Sequence, residues 1–183
     1  ALHLSVAARI RSDSIAQWLG SERIVRAMPN TPALVGKGMT GLFARTAVTA
    51  PERALVDAVV ATTGEHVWLA QENHLDAVTA LSGSGPAYVF YFLEAMVQAG
   101  TDMGLTEAQA RQLAVGTFSG GAALAGASSD PLQLLRERVT SKGGTTYAAL
   151  TSLETSGVKD AFVRAMQAAQ QRAEELGDEF GKA

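Results

Sequence analysis

The sequence predicts an α/β region followed by an all-α region. Short apolar runs typical of β-strands alternate with helical segments up to about residue 71, and from there every segment has helical periodicity. Alternating strands and helices favour a parallel or mixed sheet covered by helices. We therefore predict an α/β domain over residues 1–71 and a helical domain over residues 72–183.

Four runs rich in apolar residues are predicted as strands: Leu2–Ala7, Ile24–Met28, Gly38–Ala44 and His66–Ala70. The second strand must end at Pro29, because Pro29 and Pro32 are expected to prevent both a helix and central-sheet pairing. Ligands of doubly wound sheets bind beyond the carboxyl ends of the strands, which is where the segment from Met28 to Pro32 falls.

Two helices are predicted between these strands. Ser12–Ser14 is expected to supply the N-cap of the first, which stops at Gly20. Thr49 is expected to cap the second, with Pro51 at its first position. The inward face of the second helix is predicted to consist of Leu55, Val56, Val59 and Val60.

The helical region contains unusually apolar and glycine-rich helices. We expect the helix from Ala87 to about Met103 to be buried nearly all round, because almost every face of it is apolar. In the next helix, which starts with a capping box at Thr106–Gln109, glycines at 116, 120 and 121 are expected to allow close helix crossing. Residues from about 73 onward are predicted to form an intertwined homodimer, because an isolated chain would expose a large apolar patch.

Composition limits the possible partners and location. The chain has 183 residues, of which 47% are hydrophobic, so it can bury a sizeable core. A net charge of −3 with no basic block disfavours nucleic acid and anionic membranes as partners. No apolar run approaches the roughly 20 residues of a membrane span, and the first residues do not resemble a secretion signal. We therefore expect a cytoplasmic protein.

The side-chain chemistry is also limited. The chain has no cysteine, which excludes disulfides, thiolate metal sites and a cysteine nucleophile. His3, His66 and His74 lack the spacing of metal ligands, so we predict no metal site. No Gly-x-Gly-x-x-Gly motif follows a predicted strand, and a phosphate-binding dinucleotide loop is therefore not expected within this chain.

A polar turn at Val139–Thr146 is the main candidate for a ligand site. It breaks one helical pattern and leads directly into the next. The first turn of a helix has free backbone N–H groups and a partial positive charge, so anions bind there. Gly143 and Gly144 let a ligand approach the backbone, and hydroxyl and ammonium groups surround them. Taken alone, the stretch is equally consistent with an ordinary loop and N-cap.

Three motifs in order along the chain resemble those of pyrroline-5-carboxylate reductases: Arg26–Ala33, Ala80–Tyr88 and Val139–Thr146. The resemblance implies part of a Rossmann nucleotide-binding domain, whose first half with the glycine fingerprint is absent from this chain. It also implies a helical dimerisation domain like the C-terminal domain of 6-phosphogluconate dehydrogenase. The implied activity is NAD(P)H-dependent reduction of 1-pyrroline-5-carboxylate to L-proline, the last step of proline biosynthesis.

The resemblance also implies roles for individual residues. The residues that correspond to the substrate-binding turn are Val139, Ser141, Gly143, Gly144, Thr145 and Thr146. Thr146 is the implied catalytic residue, with its hydroxyl against the ring nitrogen. Asn30, Thr31 and Pro32 correspond to the turn beside the nicotinamide, and Ser82–Pro86 corresponds to a hinge near the domain junction. Two simpler interpretations stay open: Asn30–Pro32 could be a plain turn, and Ser82–Pro86 could be only a helix break.

Arg9 departs from the family pattern, in which glycine usually follows a pair of alanines. This departure places a bulky cation near the cofactor side of the sheet. Because the phosphate-binding part is missing, we expect this chain alone to bind NADPH or NADH weakly and to have little reductase activity.

The required chemistry is compatible with the resemblance. Hydride addition to a cyclic C=N bond needs orientation, a carboxylate anchor and a hydrogen-bond donor, but no metal or nucleophile.

One alternative is another imine or 2-hydroxyacid reductase with the same two domains. Carbonyl reductases of that kind usually have a lysine on the long helix, and Tyr88–Met103 has none. The other alternative is a non-catalytic dimerisation module. The expected partners are 1-pyrroline-5-carboxylate and a second copy of the chain, and such dimers could associate further.

Overall fold

The computed structural model describes residues 1–180 and shows a sheet region followed by helices. The strands are β1 (His3–Ser5), β2 (Ile24–Met28), β3 (Gly38–Ala44) and β4 (Gly64–Trp68). The α-helices are α1 (Ser12–Leu19), α2 (Ala50–Val60), α3 (His74–Val78), α4 (Gly85–Asp102), α5 (Glu107–Ala127), α6 (Leu132–Arg138), α7 (Thr145–Thr155) and α8 (Val158–Phe180). A 3₁₀ helix covers Thr31–Val35, and a π-helical turn covers Thr79–Gly83. The predicted change from α/β to all-α is confirmed, and β4 lies two residues earlier than predicted.

The strands form one mixed sheet in the order β1-β2-β3-β4. Strands β1 and β2 are parallel, with Ser5 opposite Arg26. Strands β2 and β3 are antiparallel, with Met28 opposite Gly41, and β3 and β4 are parallel. A mixed sheet is one of the two arrangements that the sequence predicts.

The chain forms two compact units. The sheet unit comprises Ala1–Ala87 and the residues from Arg164 onward, and the helical unit comprises Tyr88–Val163. The domain boundary between residues 71 and 72 was predicted from the sequence. It does not coincide with the limits of these units and stays a prediction.

The sheet unit has its own hydrophobic core. Ile24 and Val25 of β2 and Leu42 of β3 are completely buried. Two residues of α2, Val56 and Val60, are buried in the same cluster as Val25 and Leu42. The central strands and α2 therefore stabilise each other through apolar contacts.

The predicted inward face of α2 is only half correct. Val56 and Val60 are buried, whereas Leu55 is 58% and Val59 is 50% exposed. Val56 and Val60 are one helical turn apart and share a face, while Leu55 and Val59 lie about 100° round the helix from them. The sheet covers only the narrower stripe.

The start of α2 has the predicted cap. The Thr49 N–H donates to the Glu52 carboxylate at 2.9 Å, which is one half of a capping box. Pro51 is the second residue of the helix and not the first. Hydrogen bonds from Arg23 and from the Thr49 backbone lower the pKa of Glu52 to about 2, so this carboxylate stays ionised at the helix N-terminus.

The helical unit buries little of its apolar surface. Of the residues in α4, only Gly100 is buried, and Phe90 and Tyr91 are 60% and 69% exposed. The expectation that this helix is buried nearly all round is therefore not met within the chain. Tyr88 and Phe92 both make edge-to-face contacts with Phe162, at centroid distances of 5.5 and 5.4 Å. Within residues 1–180, no helix combines the length and apolar character that a membrane crossing requires.

Close helix packing occurs at a different glycine from those predicted. A Cβ at Gly100 would lie 2.7 Å from the Ala110 Cβ, so α4 and α5 touch there. No atom lies within 4 Å of a Cβ built at Gly116, Gly120 or Gly121. The close crossing expected at these three glycines is therefore absent within the described chain and would require a second molecule.

Candidate functional site

The candidate substrate-binding turn lies between α6 and α7 in the helical unit. Gly143 has a φ of +74°, a left-handed conformation that glycine adopts without strain. The Gly144 N–H donates to the Ser141 carbonyl oxygen at 3.0 Å, and the Ala148 N–H donates to the Gly144 carbonyl oxygen at 3.1 Å. The chain thus reverses tightly and enters α7 directly.

The start of α7 leaves backbone donors available. Because Ala148 makes the first helical bond, the N–H groups of Thr145, Thr146 and Tyr147 have no intrahelical acceptor. The helix dipole adds a partial positive charge at the same end. The Gly144 N–H is used inside the turn, so the donors for an anion are those of the first turn of α7.

The hydroxyl groups of this turn are also free of internal bonds. In the part of the chain that the structure describes, the hydroxyls of Ser141, Thr145 and Thr146 make no hydrogen bond, and all three residues are exposed. The N-cap residue of α7 is Gly144, which has no side chain. Neither threonine therefore acts as the helix cap, and both hydroxyls are available to a ligand.

An apolar groove adjoins the turn. It has a volume of about 580 Å³, and its lining includes Leu124 of α5, Leu132 and Leu135 of α6, and Val139. Val139, which the family resemblance assigns to the pocket wall, is exposed. The turn thus has a polar face and an apolar side, as a site for a small ring with a carboxylate requires.

The candidate cofactor-side turn follows β2 in the sheet unit. The Asn30 amide is bound at both ends: Oδ1 accepts the Met39 N–H at 2.8 Å, and Nδ2 donates to the Ser82 carbonyl oxygen at 3.0 Å. Thr31 is exposed and begins the 3₁₀ helix. The expectation that the two prolines prevent any helix here is wrong, because Pro32 lies in the first turn, where its missing N–H is not needed.

A buried ion pair on β2 is absent from the sequence-based site. Arg26 is only 7% exposed, and its Nη1 donates to the Glu72 carboxylate at 2.7 Å. The same carboxylate accepts the N–H and the hydroxyl of Ser12, each at 2.6 Å. Ser12 is the first residue of α1 and not its N-cap, so the predicted cap is wrong. The Glu72 carboxylate, which is distant in the sequence, therefore accepts the free N–H and hydroxyl at the start of α1.

The ionisation of this cluster follows from its surroundings. Burial alone would raise the pKa of Glu72, but hydrogen bonds from Ser12 and Arg26 hold this pKa below its ordinary value. Burial raises the pKa of Asp76, and the charges of Arg11 and Arg26 offset this only in part. An arginine in the otherwise apolar strand Ile24–Met28 was the one sequence signal for the ion pair.

Arg9, the residue that departs from the family pattern, contacts the end of α8. Its guanidinium lies 5.7 Å from the centroid of the Phe180 ring. Nearby, Arg11 Nη2 lies 2.6 Å from Asp178 Oδ1. The loop after β1 is therefore attached to the last described turn of the chain, and Arg9 serves as a packing cation there.

The candidate site is rich in hydrogen-bond donors. Backbone N–H groups and hydroxyls of the substrate-binding turn can hold a carboxylate and donate a hydrogen bond to a neighbouring atom. In residues 1–180, no group of three or more histidine, aspartate or glutamate side chains is arranged to hold a metal ion. The backbone N–H groups and hydroxyls of this turn are suited to binding and orienting a substrate in a transfer reaction.

Comparisons with known proteins identify the family. A family model described as "Pyrroline-5-carboxylate reductase dimerisation" matches residues 72–176. The pyrroline-5-carboxylate reductase of Pseudomonas aeruginosa is 42% identical over 182 residues, which cover 99% of this chain and 67% of the relative. That of Corynebacterium melassecola is 46% identical over 154 residues, which cover 84% of this chain and 57% of the relative.

Solved structures agree with the sequence relatives. The pyrroline-5-carboxylate reductase of Coxiella burnetii superposes with a TM-score of 0.91 at 40% identity, covering 94% of this chain and 64% of that protein. The Plasmodium falciparum enzyme, solved with NADP bound, gives a TM-score of 0.87 at 31% identity, covering 96% and 71%. The chain thus spans 57% to 67% of the length of the two curated relatives. From its sequence and its fold together, the chain belongs to the pyrroline-5-carboxylate reductase family.

Proposed function

We propose that this chain is part of a reductase that uses NADPH or NADH to convert 1-pyrroline-5-carboxylate to L-proline, the last step of proline biosynthesis. The observation that carries the proposal is the start of α7, where free N–H groups and three unbonded hydroxyls occupy one exposed turn. A cyclic imine with a carboxylate needs an anion site and a hydrogen-bond donor close together, and this turn offers both.

The substrate carboxylate is proposed to bind the N–H groups of Thr145 and Thr146, with the Ser141 hydroxyl as a further donor. Gly143 and Gly144 carry no side chain, so the carboxylate can approach the backbone. Val139 forms the apolar wall against the ring. These contacts exist in the ground state and the transition state alike, so they serve mainly to bind and orient the substrate.

Thr146 is proposed to act on the reaction itself. Its hydroxyl donates a hydrogen bond to the ring nitrogen, and a proton from solvent completes the amine once the adjacent carbon has accepted hydride. The nitrogen gains electron density as the adjacent carbon accepts hydride, so this hydrogen bond strengthens in the transition state. Thr146 is the catalytic residue of this proposal because it lowers the barrier by more than it stabilises the bound substrate.

The turn of Asn30, Thr31 and Pro32 is proposed to border the nicotinamide. The fit rests on position, because exposed Thr31 follows the carboxyl end of β2, where nucleotide ligands of such sheets bind. A reduced nicotinamide, when bound, supplies the hydride. Residues 1–180 contain no glycine-rich loop after a strand that could bind the phosphate groups of the dinucleotide. We therefore expect weak binding of NADPH or NADH by this chain alone.

The helical domain over residues 72–183 is proposed to form an intertwined homodimer, and dimers could associate further. The match to a dimerisation model over residues 72–176 supports this. So does the exposure of Phe90, Tyr91 and Leu124, which a second copy would cover. A cytoplasmic location stays a prediction from sequence.

A second candidate function is a non-catalytic dimerisation module. The observation that favours it is the match of residues 72–176 to a family model that describes dimerisation. In that case the exposed turn at Val139–Thr146 would bind no substrate. The identity of 42% to 46% with the Pseudomonas and Corynebacterium relatives disfavours a different imine or 2-hydroxyacid reductase.

The proposal is tested by measuring oxidation of NADPH and NADH in the presence of 1-pyrroline-5-carboxylate. Two proteins are compared: this chain alone, and a chimera that adds the part of the Pseudomonas relative outside the matched region. We expect little turnover by the chain alone and clear turnover by the chimera. A chimera that folds and binds NADPH but does not reduce the imine would contradict the proposal and favour the dimerisation module.

A further inference from the structure

We infer that Asn30 is a positioning residue that fixes the segment Ser82–Pro86, and that it does not act as a direct cofactor ligand. The claim that Asn30 affects catalysis rests on the proposed function. The claim that it fixes this segment rests on hydrogen bonds within the sheet unit. The starting observation is a carbonyl group, that of Ser82, whose ordinary helical donor is missing.

The Ser82 carbonyl lacks its ordinary helical donor. In a helix this oxygen would accept the N–H of residue 86, but residue 86 is proline and has no N–H. The next donor, the Ala87 N–H, binds the Ser84 carbonyl oxygen at 3.0 Å. The Ser84 N–H closes the π-helical turn by binding the Thr79 carbonyl oxygen at 2.8 Å.

Asn30 supplies the missing donor. Its Nδ2 lies 3.0 Å from the Ser82 carbonyl oxygen, while its Oδ1 accepts the Met39 N–H at 2.8 Å. One amide therefore joins the turn after β2, the strand β3 and the end of the π-helical turn. A partly buried carbonyl without a partner would destabilise the segment, so this contact has a structural reason to persist.

The packing of the π-helical turn explains how Asn30 can reach it. A Cβ at Gly83 would lie 2.7 Å from Met28 Cε, and a Cβ at Gly41 would lie 2.8 Å from Val78 Cγ1. The turn therefore lies directly against β2, and the end of α3 that leads into it lies against β3. Close backbone approach at these two glycines brings the Ser82 carbonyl within reach of the Asn30 amide.

Two separate sequence motifs are thus complementary. Pro86 of the second motif removes a donor, and Asn30 of the first motif replaces it. The amide of Asn30 is already bound to main-chain groups at both ends, so its contribution to catalysis is to hold the turn that Thr31 and Pro32 share. A displaced turn misplaces whatever it contacts, which reduces the rate of reaction more than the affinity.

The test combines four variants: Asn30→Ala, Asn30→Asp, Pro86→Ala and the double variant Asn30→Ala/Pro86→Ala. Asn30→Asp keeps an acceptor oxygen for the Met39 N–H, and it replaces the donor to Ser82 with a carboxylate oxygen that repels the Ser82 carbonyl oxygen. Pro86→Ala restores a main-chain N–H four residues after Ser82, so it should compensate for the loss of Asn30. Ser82→Ala is the control, because it removes the hydroxyl bond to the Val78 carbonyl oxygen and keeps the Ser82 carbonyl.

The first measurement is hydrogen exchange at the Ser84 and Ala87 amides in this chain. We expect about tenfold faster exchange in Asn30→Ala and Asn30→Asp, and a return to within about threefold of the parent in the double variant. We expect Ser82→Ala to change exchange by less than about threefold. Equal exchange in the Asn30→Ala and double variants would overturn the inference, because no coupling between the two positions would exist.

The second measurement is steady-state kinetics of the chimera. We expect Asn30→Asp to lower kcat by about 10- to 100-fold with the KM for the cofactor within about threefold of the parent, and the double variant to recover most of the activity lost in Asn30→Ala. A raised cofactor KM at unchanged kcat would overturn the inference and make Asn30 a ligand. A chimera without any reductase activity would refute the proposed function, and the exchange data would still decide whether Asn30 and Pro86 are coupled.

Discussion

The two units of this chain bury apolar surface in very different ways. Among residues 1–180, all buried hydrophobic residues except Ala110 and Ala114 belong to the sheet unit. In the helical unit, large side chains such as Leu124, which is 71% exposed, face outward. The sheet unit contains its own core, whereas the helical unit needs an external surface to cover its apolar side chains. We propose that a second copy supplies that surface.

The same contrast separates structure from chemistry. The polar groups of the sheet unit, such as Asn30 and the pair of Arg26 and Glu72, are bound to one another or to the main chain. The hydroxyls of Ser141 and Thr146 in the helical unit are unbonded within the described residues. Groups that are free in the chain are the ones available to a substrate, so the less self-contained unit carries the proposed chemistry.

The largest expected effect concerns Thr146. In the chimera, Thr146→Ala should lower kcat by roughly 10- to 1000-fold, because it removes a hydrogen bond that strengthens in the transition state. Thr146→Ser keeps the hydroxyl and should lose much less. Ser141→Ala should mainly raise the KM for the imine, since it removes a contact present before and during reaction. Kinetics and melting temperature are measured on each variant.

The outcome also separates catalysis from helix stability. A substitution in the first turn of α7 that affects only the stability of the helix would leave turnover nearly unchanged. Unchanged kcat with a lower melting temperature in Thr146→Ala would therefore show that the residue only stabilises α7, and the assignment of chemistry to the helical unit would be wrong.

The next prediction compares the effect on stability of a glycine-to-alanine substitution in the sheet unit with that of one in the helical unit. Gly64 has a φ of +146°, and a Cβ there would lie 2.1 Å from the Gly38 carbonyl oxygen, so Gly64→Ala should destabilise the sheet unit by about 3 kcal/mol or more. Within the chain, a Cβ at Gly120 meets nothing within 4 Å. Gly120→Ala should stabilise an isolated helix by about 0.5–1 kcal/mol and yet weaken self-association, if a second helix crosses there.

Chemical denaturation and sedimentation at several concentrations distinguish these effects. Stabilisation by Gly120→Ala with unchanged association would mean that no helix crosses at this glycine. An unaltered unfolding midpoint in Gly64→Ala would mean that the β3–β4 pairing at Gly38 and Gly64 tolerates a side chain, which contradicts the described geometry.

A third prediction uses two exposed leucines, one in each unit. Leu124 of α5 and Leu55 of α2 are 71% and 58% exposed. Leu124→Glu should weaken self-association by about 30-fold or more, because a charge would be buried in the interface. Leu55→Glu is the matched control and should leave association within about threefold, because the sheet unit already has its core. Equal effects of the two substitutions in sedimentation experiments would remove the proposed distinction between the units.

The smallest expected effect is the pH dependence of the Glu72 contact. The pKa of Glu72 is lower in the folded state than in the unfolded state, so its contribution to stability is present above the unfolded pKa and is lost as pH falls through the folded pKa. Glu72→Gln should therefore destabilise the protein at neutral pH and differ progressively less from the parent as pH falls below about 4.

Urea unfolding of both proteins from neutral to acidic pH checks this behaviour. Asp76, whose raised pKa has the opposite effect on stability, is present in both proteins and largely cancels in the difference. A stability difference that grows on acidification would show that Glu72 does not act as an ionised partner of Arg26 and Ser12.

Local features of the sequence predicted most of the fold. The strands Ile24–Met28 and Gly38–Ala44 and the capping box at Thr106 were predicted at their observed positions, because apolar alternation and cap chemistry act over a few residues. The glycine-bearing turn before α7 was recognisable for the same reason. Its role in binding stays a prediction.

Long-range contacts account for what the sequence did not predict. Ser12 looked like an N-cap, but its partner, Glu72, is distant in the chain. The contact of Asn30 with Ser82 likewise depends on the folded packing of the π-helical turn on the sheet. The exposure of α4 was mispredicted because apolar composition indicates that a surface is covered and does not say which molecule covers it.

The central claim is that the sheet unit is stable by itself and that the helical unit depends on a second copy. The most direct measurement is hydrogen exchange of this chain at protein concentrations below and above the association range found by sedimentation. We expect amides of α4 and α5 to become more protected as concentration rises, while amides of β2 and β3 stay unchanged. A chain that remains monomeric at micromolar concentration, with α4 and α5 as protected as β2 and β3, would contradict the account.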